Sequence, residues 1–174
     1  MNRQEFTKEL FEAVEIVTGI KEEQIKARTR KGLIPDARKV VINILHDAFK
    51  SFTSWRLIGV EVGYDDRNAH SCAIAANKKA LNYLDVCPNF KNIHSKVLIM
   101  RHLLSYLKEI DGERVRNWKI QKEGDAFVVR VCNGTTDYID APEIESPEGF
   151  EIIRSSCLEM DGRLTEWRYV LTKN

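Results

Sequence analysis

Ser54-Trp55-Arg56-Leu57-Ile58-Gly59-Val60-Glu61-Val62-Gly63-Tyr64-Asp65-Asp66-Arg67-Asn68-Ala69-His70-Ser71 is the stretch that decides how this chain reads. Thr53 or Ser54 can accept from the first free amides of a helix, and Gly63 can end that helix in the left-handed conformation. Tyr64 to Arg67 then forms a turn. Asn68 can open a second helix, to about Leu84, whose Ala-rich body Ala69–Leu81 has strong helix propensity. Two helices joined by a tight glycine-containing turn make a helix-turn-helix candidate. The turn sets Arg67, Asn68, His70 and Ser71 at the start of the second helix, the end that meets base edges in the major groove. Arg can fork onto guanine and Asn onto adenine, while Ser or His can donate to bases or phosphates. Lys78 and Lys79 lie further along, within reach of backbone phosphates.

Upstream, Phe6, Leu10, Phe11, Val14 and Val17 recur at helical steps, so Glu5–Val17 is an amphipathic helix ended by Gly19. A short helix is expected over Lys21–Ala27. Residues 28–34 are polar and basic and read as a loop. Pro35 suits the first turn of the next helix, which Val41, Ile44, Leu45, Ala48 and Phe49 give a buried face. Arg28, Arg30, Lys31, Arg38 and Lys39 are the densest basic cluster. A basic loop of this kind can enter a minor groove, whose negative potential draws in guanidinium groups.

Downstream, Pro88 breaks the chain, and Phe90–Ile110 carries Ile93, Val97, Met100, Leu104 and Leu107 on one stripe. After Asp111-Gly112 the texture turns β-like. Strands are expected over Trp118–Gln121, Phe127–Cys132, Phe150–Ser155 and Leu164–Leu171, with turns at Gly124-Asp125 and Asp161-Gly162 and a loop from Asn133-Gly134 through Pro142 and Pro147. The expected fold class is α+β. An N-terminal all-α helix-turn-helix domain, residues 1–110, precedes a small antiparallel β-sheet module, residues 111–174. A sheet this small needs a covering surface, either the long helix or another chain. Trp118, Phe127, Tyr138, Phe150, Trp167 and Tyr169 give the module six aromatics, which points to a homodimer or a protein partner through it.

Charge supports two parts with different partners. Residues 1–110 hold 18 Lys/Arg and 13 Asp/Glu, a net of +5, and the remaining 9 and 13 give −4. The positive part suits a polyanion. With 43% hydrophobic and 30% charged residues the 174-residue chain can bury a core. No apolar run reaches the ~18 residues of a membrane span, and the first residues lack the apolar stretch of a signal peptide, so a cytoplasmic protein with no membrane partner is expected. Cys72, Cys87, Cys132 and Cys157 lie too far apart for a zinc ribbon and read as free thiols, and no metal site is expected. No GxxxxGK[ST] loop occurs, so no nucleotide cofactor is implied. Glu143, Glu145 and Glu148 read as a solvated loop, and no catalytic constellation emerges.

Residues ~10–85 resemble the C-terminal DNA-binding domain of the bacterial replication initiator DnaA. The resemblance rests on Val17-Thr18-Gly19-Ile20, Lys26-Ala27-Arg28-Thr29-Arg30-Lys31, Ala37-Arg38-Lys39-Val40-Val41, Ile58-Gly59-Val60-Glu61-Val62-Gly63 and Arg67-Asn68-Ala69-His70-Ser71. It implies a helix-turn-helix that binds double-stranded DNA, with minor-groove contact from the basic loop and major-groove contact from Arg67–Ser71. Arg30 and Arg38 match the family's basic-loop and helix-start arginines. The family's Asp-His pair is interrupted, so either His70 or Ala69 stands at its histidine. The initiator's ATPase is absent, which leaves a detached DNA-binding domain with an added β module, suited to a replication, regulatory or phage role. The alternative is a protein-interaction module that keeps the helix-turn-helix but no longer binds DNA.

Overall fold

The computed structural model describes residues 2–110, 115–124, 126–133, 141–144, 146, 150–158 and 164–173. Six helices precede four strands: α1 Arg3–Thr18, α2 Glu22–Lys26, α3 Ile34–Phe49, α4 Trp55–Glu61, α5 Ala69–Val86, α6 Pro88–Ile110, β1 Val115–Glu123, β2 Ala126–Asn133, β3 Phe150–Leu158 and β4 Leu164–Lys173. This is the α+β layout that the periodicities imply. Asp111, Gly112, Asp125, Gly134, Tyr138, Glu145, Pro147, Glu148, Asp161 and Gly162, and the turns expected at them, lie outside the described residues.

The chain separates into two compact units, Met1–Leu98 and Ile99–Asn174. They divide inside α6 rather than after Ile110. In the first unit α3 is the central helix. Val40, Val41, Ile42, Ile44 and Leu45 are all buried, so its apolar surface wraps most of the way round, as a helix enclosed by others requires. Ala48, expected on the buried face, is exposed. The helix ends follow the punctuation of the sequence. Gly19 ends α1 at φ 75°, and Ser54, rather than Thr53, caps α4 by accepting from the Leu57 amide at 3.3 Å. Inside this apolar unit α3, α5 and α6 bring together one polar cluster. Asn43 Nδ2 donates to Asn77 Oδ1 at 3.0 Å, and His94 Nε2 lies 2.8 Å from Asn43 Oδ1.

In the second unit the four strands form one antiparallel sheet in the order β1-β2-β4-β3. Gly124, at φ 62°, supplies the left-handed residue beside the β1–β2 turn. Phe127 pairs Tyr169, Val129 pairs Trp167 and Val131 pairs Thr165, and all six are fully buried on one face. The last three turns of α6 share this unit. Met100, Leu103, Leu104 and Leu107 are fully buried, and Tyr106 stands 6.0 Å from Trp167, ring centre to ring centre. The chain therefore covers Trp167 itself, and the sheet's aromatic face does not require a second copy. The opposite face is mixed, with Ala126 and Val128 buried on it beside a set of charged pairs. Arg130 donates to Glu166 at 2.9 Å and to Gln121 at 2.6 Å, and Arg168 pairs Glu123 at 2.5 Å.

Candidate nucleic-acid interface

The first unit builds its candidate site from the α4–α5 pair and the end of α2. α4 and α5 approach so closely that only glycine fits at the crossing. A Cβ on Gly59 would stand 2.3 Å from the Ala69 carbonyl oxygen. Gly63 has φ +87°, and a Cβ there would stand 2.1 Å from the Lys26 carbonyl oxygen. The turn after α4 thus lies directly on the last residue of α2. Both glycines of the Ile58–Gly63 stretch are required by close backbone approach, and Gly63 by its conformation as well.

Arg28 is carried to the same place. Its guanidinium pairs with Asp65 Oδ2 at 3.0 Å, and Asp65 Oδ1 accepts from the Arg67 amide at 3.1 Å. One carboxylate therefore joins the start of the basic loop to the residue that leads into α5. Its neighbour Asp66 takes Arg56 in a two-pronged pair, with Arg56 Nε donating to Oδ1 at 2.8 Å and Nη2 to Oδ2. The hydrogen bond from Arg56 holds the Asp66 carboxyl below its ordinary value. Asp65 and Asp66 carry no signal in the sequence beyond that of a turn. Their role as partners of Arg28 and Arg56 follows only from the fold.

At the start of α5, Arg67, Asn68, His70 and Ser71 are all exposed. Asn68 occupies the N-cap position, but its side chain makes no capping bond there, contrary to the expectation that it caps the helix. Ser71 Oγ donates back to the Asn68 carbonyl at 3.1 Å. Along the helix, Asn68, Ser71, Ala75, Lys78 and Asn82 recur at three- and four-residue steps on one exposed side. Ala75 and Asn82 extend the stripe beyond the residues singled out from sequence. Their signal was the same periodicity that marks the buried side, Ala69, Ala73, Ala76 and Ala80. Lys79 is exposed beside the stripe.

Arg30 and Lys31 are exposed in the loop between α2 and α3, where the Lys31 amide donates to Thr29 Oγ1 at 3.2 Å. Arg38 is a correction. Expected as a DNA contact at a helix start, it is only 8% exposed. Its Nε and Nη2 donate to the Ile25 carbonyl oxygen at 2.8 and 2.6 Å, Nη2 also reaches the Ala27 carbonyl, and the guanidinium lies 5.6 Å from the centre of the Tyr64 ring. Carbonyls at a helix end lack intrahelical partners, and an arginine fork on the neighbouring helix is well shaped to supply the missing donors.

Among the described residues no group of three His, Cys, Asp or Glu could hold a metal ion. Cys72, Cys87 and Cys132 are free thiols, and the Cys157 side chain lies outside the described residues. No described helix is long and apolar enough to cross a membrane. No protein-family model, curated protein or solved structure matches the chain.

Proposed function

We propose that the Met1–Leu98 unit binds double-stranded DNA, with the start of α5 in the major groove and the loop before α3 along the adjacent backbone or minor groove. The observation that carries this reading is the Asp65 bridge, which sets the root of the basic loop beside the start of an exposed polar helix. A helix-turn-helix needs that juxtaposition, because its second helix reads bases while flanking cations fix it on phosphates. The resemblance of residues ~10–85 to the DnaA DNA-binding domain supports the same arrangement. With Arg38 used internally, the cations free to meet DNA are Arg30, Lys31, Arg67, Lys78 and Lys79, joined by Arg28 if a phosphate displaces Asp65.

The test is titration of labelled duplexes at several salt concentrations, preceded by selection from random duplexes to recover a preferred site. Neutralising about five phosphates gives a log–log salt slope of about −4 to −5. No binding tighter than ~100 μM at ~50 mM salt would remove the reading. A protein-docking role is then favoured by one feature. Phe52, Leu57 and Val60, before and along α4, are 89%, 53% and 44% exposed.

A further inference from the structure

We infer that Arg38 is a positioning residue for the basic loop, acting on DNA only through Arg30 and Lys31; this rests on the DNA-binding reading above. Three separate contacts converge on the last turn of α2. Arg38 ties the Ile25 and Ala27 carbonyls to α3, Gly63 lies against the Lys26 carbonyl, and Arg28 is held at Asp65. Residues 25–28 are thereby fixed to α3 and to the turn after α4, with only Thr29 between this anchor and Arg30. Past that anchor the chain is held lightly. Arg30, Lys31 and Gly32 are exposed, and a Cβ on Gly32 would have no neighbour within 4 Å.

The direction in which Arg30 and Lys31 leave is therefore set at residues 25–28, and the one side chain that bridges the two carbonyls there is Arg38. Lysine carries the same charge but is a single point donor and cannot span both acceptors as the planar fork does. A burial this complete also separates Arg38 from phosphate. Its charge is spent on protein carbonyls, and the loop cations are the groups left to meet the duplex.

The experiment measures affinity for a mixed-sequence labelled duplex of ~30 base pairs at low salt, using the full chain and four variants. These are R38K, the double variant R30A/K31A, the triple variant R38K/R30A/K31A, and a chain with two glycines inserted between Thr29 and Arg30. R38K is expected to lose about tenfold in affinity while its melting stays cooperative. It should cost almost nothing further once Arg30 and Lys31 are gone, since residues that act through one another are not additive. Wild-type affinity for R38K would overturn the inference, because charge alone would then suffice. Full additivity in the triple variant would overturn it too, because Arg38 would then act independently of the loop. If R38K fails to fold, the glycine insertion decides. It leaves the anchor intact and detaches the loop, so it should bind as weakly as R30A/K31A; binding as tight as wild type overturns the inference. Absence of duplex binding by the wild-type chain removes the DNA reading itself, and this inference with it.

Discussion

His94 on α6, half-buried, meets the buried Asn43 on α3 through Nε2 and Oδ1, 2.8 Å apart. Asn43 already donates through Nδ2 to Asn77, so its oxygen is the acceptor and His94 Nε2 carries the hydrogen. Burial opposes the imidazolium and pulls the His94 pKa down from 6.5 to about 4, against the weaker attraction of Asp47, which raises it.

Stability should therefore fall on acidification. Above pH 6.5 His94 is neutral in both folded and unfolded chains, and its contribution is fully present. Between 6.5 and about 4 the unfolded chain takes up a proton that the folded chain refuses. Folding should weaken through that window by about 3 kcal/mol, at ~1.4 kcal/mol per pH unit. Denaturant melts from pH 7.5 to 4 would measure it. The variant H94Q keeps an amide donor toward Asn43 and should flatten this acid limb, whereas an unchanged limb would assign it to other groups.

The helices were legible because each is bounded by residues with one strong local preference. Gly19, Pro35, Ser54, Gly63 and Pro88 stand at or beside helix ends, and the apolar stripes between them have a clean helical period. The strands were legible by composition, but their order was not. The Phe127–Val131 run and the Trp167–Tyr169 pair are the most deeply buried parts of the sheet, which makes β2 and β4 the central strands, yet nothing local says which strands flank them. Arg38 was illegible for a different reason. An arginine near a helix start reads as surface, and what draws it inward is a pair of carbonyls on another helix. The Asn43 cluster did leave a trace. Asn43 interrupts the apolar run Val40–Leu45, and a polar residue inside such a run calls for a partner.

Gly59 and Gly63 should tolerate alanine far less well than Gly19. A methyl at Gly59 meets the Ala69 backbone at 2.3 Å, and one at Gly63 meets the Lys26 backbone at 2.1 Å and must also adopt φ +87°. Neither neighbour is a flexible side chain that could move aside. Each change is expected to cost at least ~2–3 kcal/mol, Gly63→Ala the more. Gly19 also has a positive φ, but open space surrounds its missing Cβ, so Gly19→Ala should cost only ~1 kcal/mol. Thermal or urea melting of the three variants gives the ranking. Equal costs at all three positions would mean that the close α4–α5 approach is not a rigid feature of the fold.

Arg67 should govern sequence choice, and the loop cations should govern overall affinity. Arg67 leads into α5 with its amide held by Asp65 and its side chain exposed, whereas Arg30 and Lys31 sit in the loop. Arg67→Ala should cost ~1–3 kcal/mol on a selected site and much less on mixed sequence. Replacing Arg30 and Lys31 by alanine should weaken both duplexes alike and lower the salt slope by about 2. Asp66→Asn releases the exposed Arg56 and removes a negative charge beside the start of α5, so binding should tighten and the slope steepen. Equal losses on both duplexes for Arg67→Ala would place that arginine on phosphate rather than on a base.

Trp167 should report that the β module closes on its own chain. Its indole is fully buried on the sheet face that Tyr106 approaches, and the neighbouring Tyr169 hydroxyl donates to the Pro142 carbonyl at 3.1 Å. In a chain carrying Trp55→Phe and Trp118→Phe, the remaining indole should resist acrylamide equally at nanomolar and at high micromolar concentration. Trp167→Ala should cost ~3–5 kcal/mol, the range for emptying a large aromatic site. Sedimentation alongside separates cover from association. A dimer with concentration-independent quenching would place its contact away from this face, for instance on the edge strands β1 and β3. Quenching that rises as the chain is diluted would mean that a second copy, rather than α6, shields Trp167.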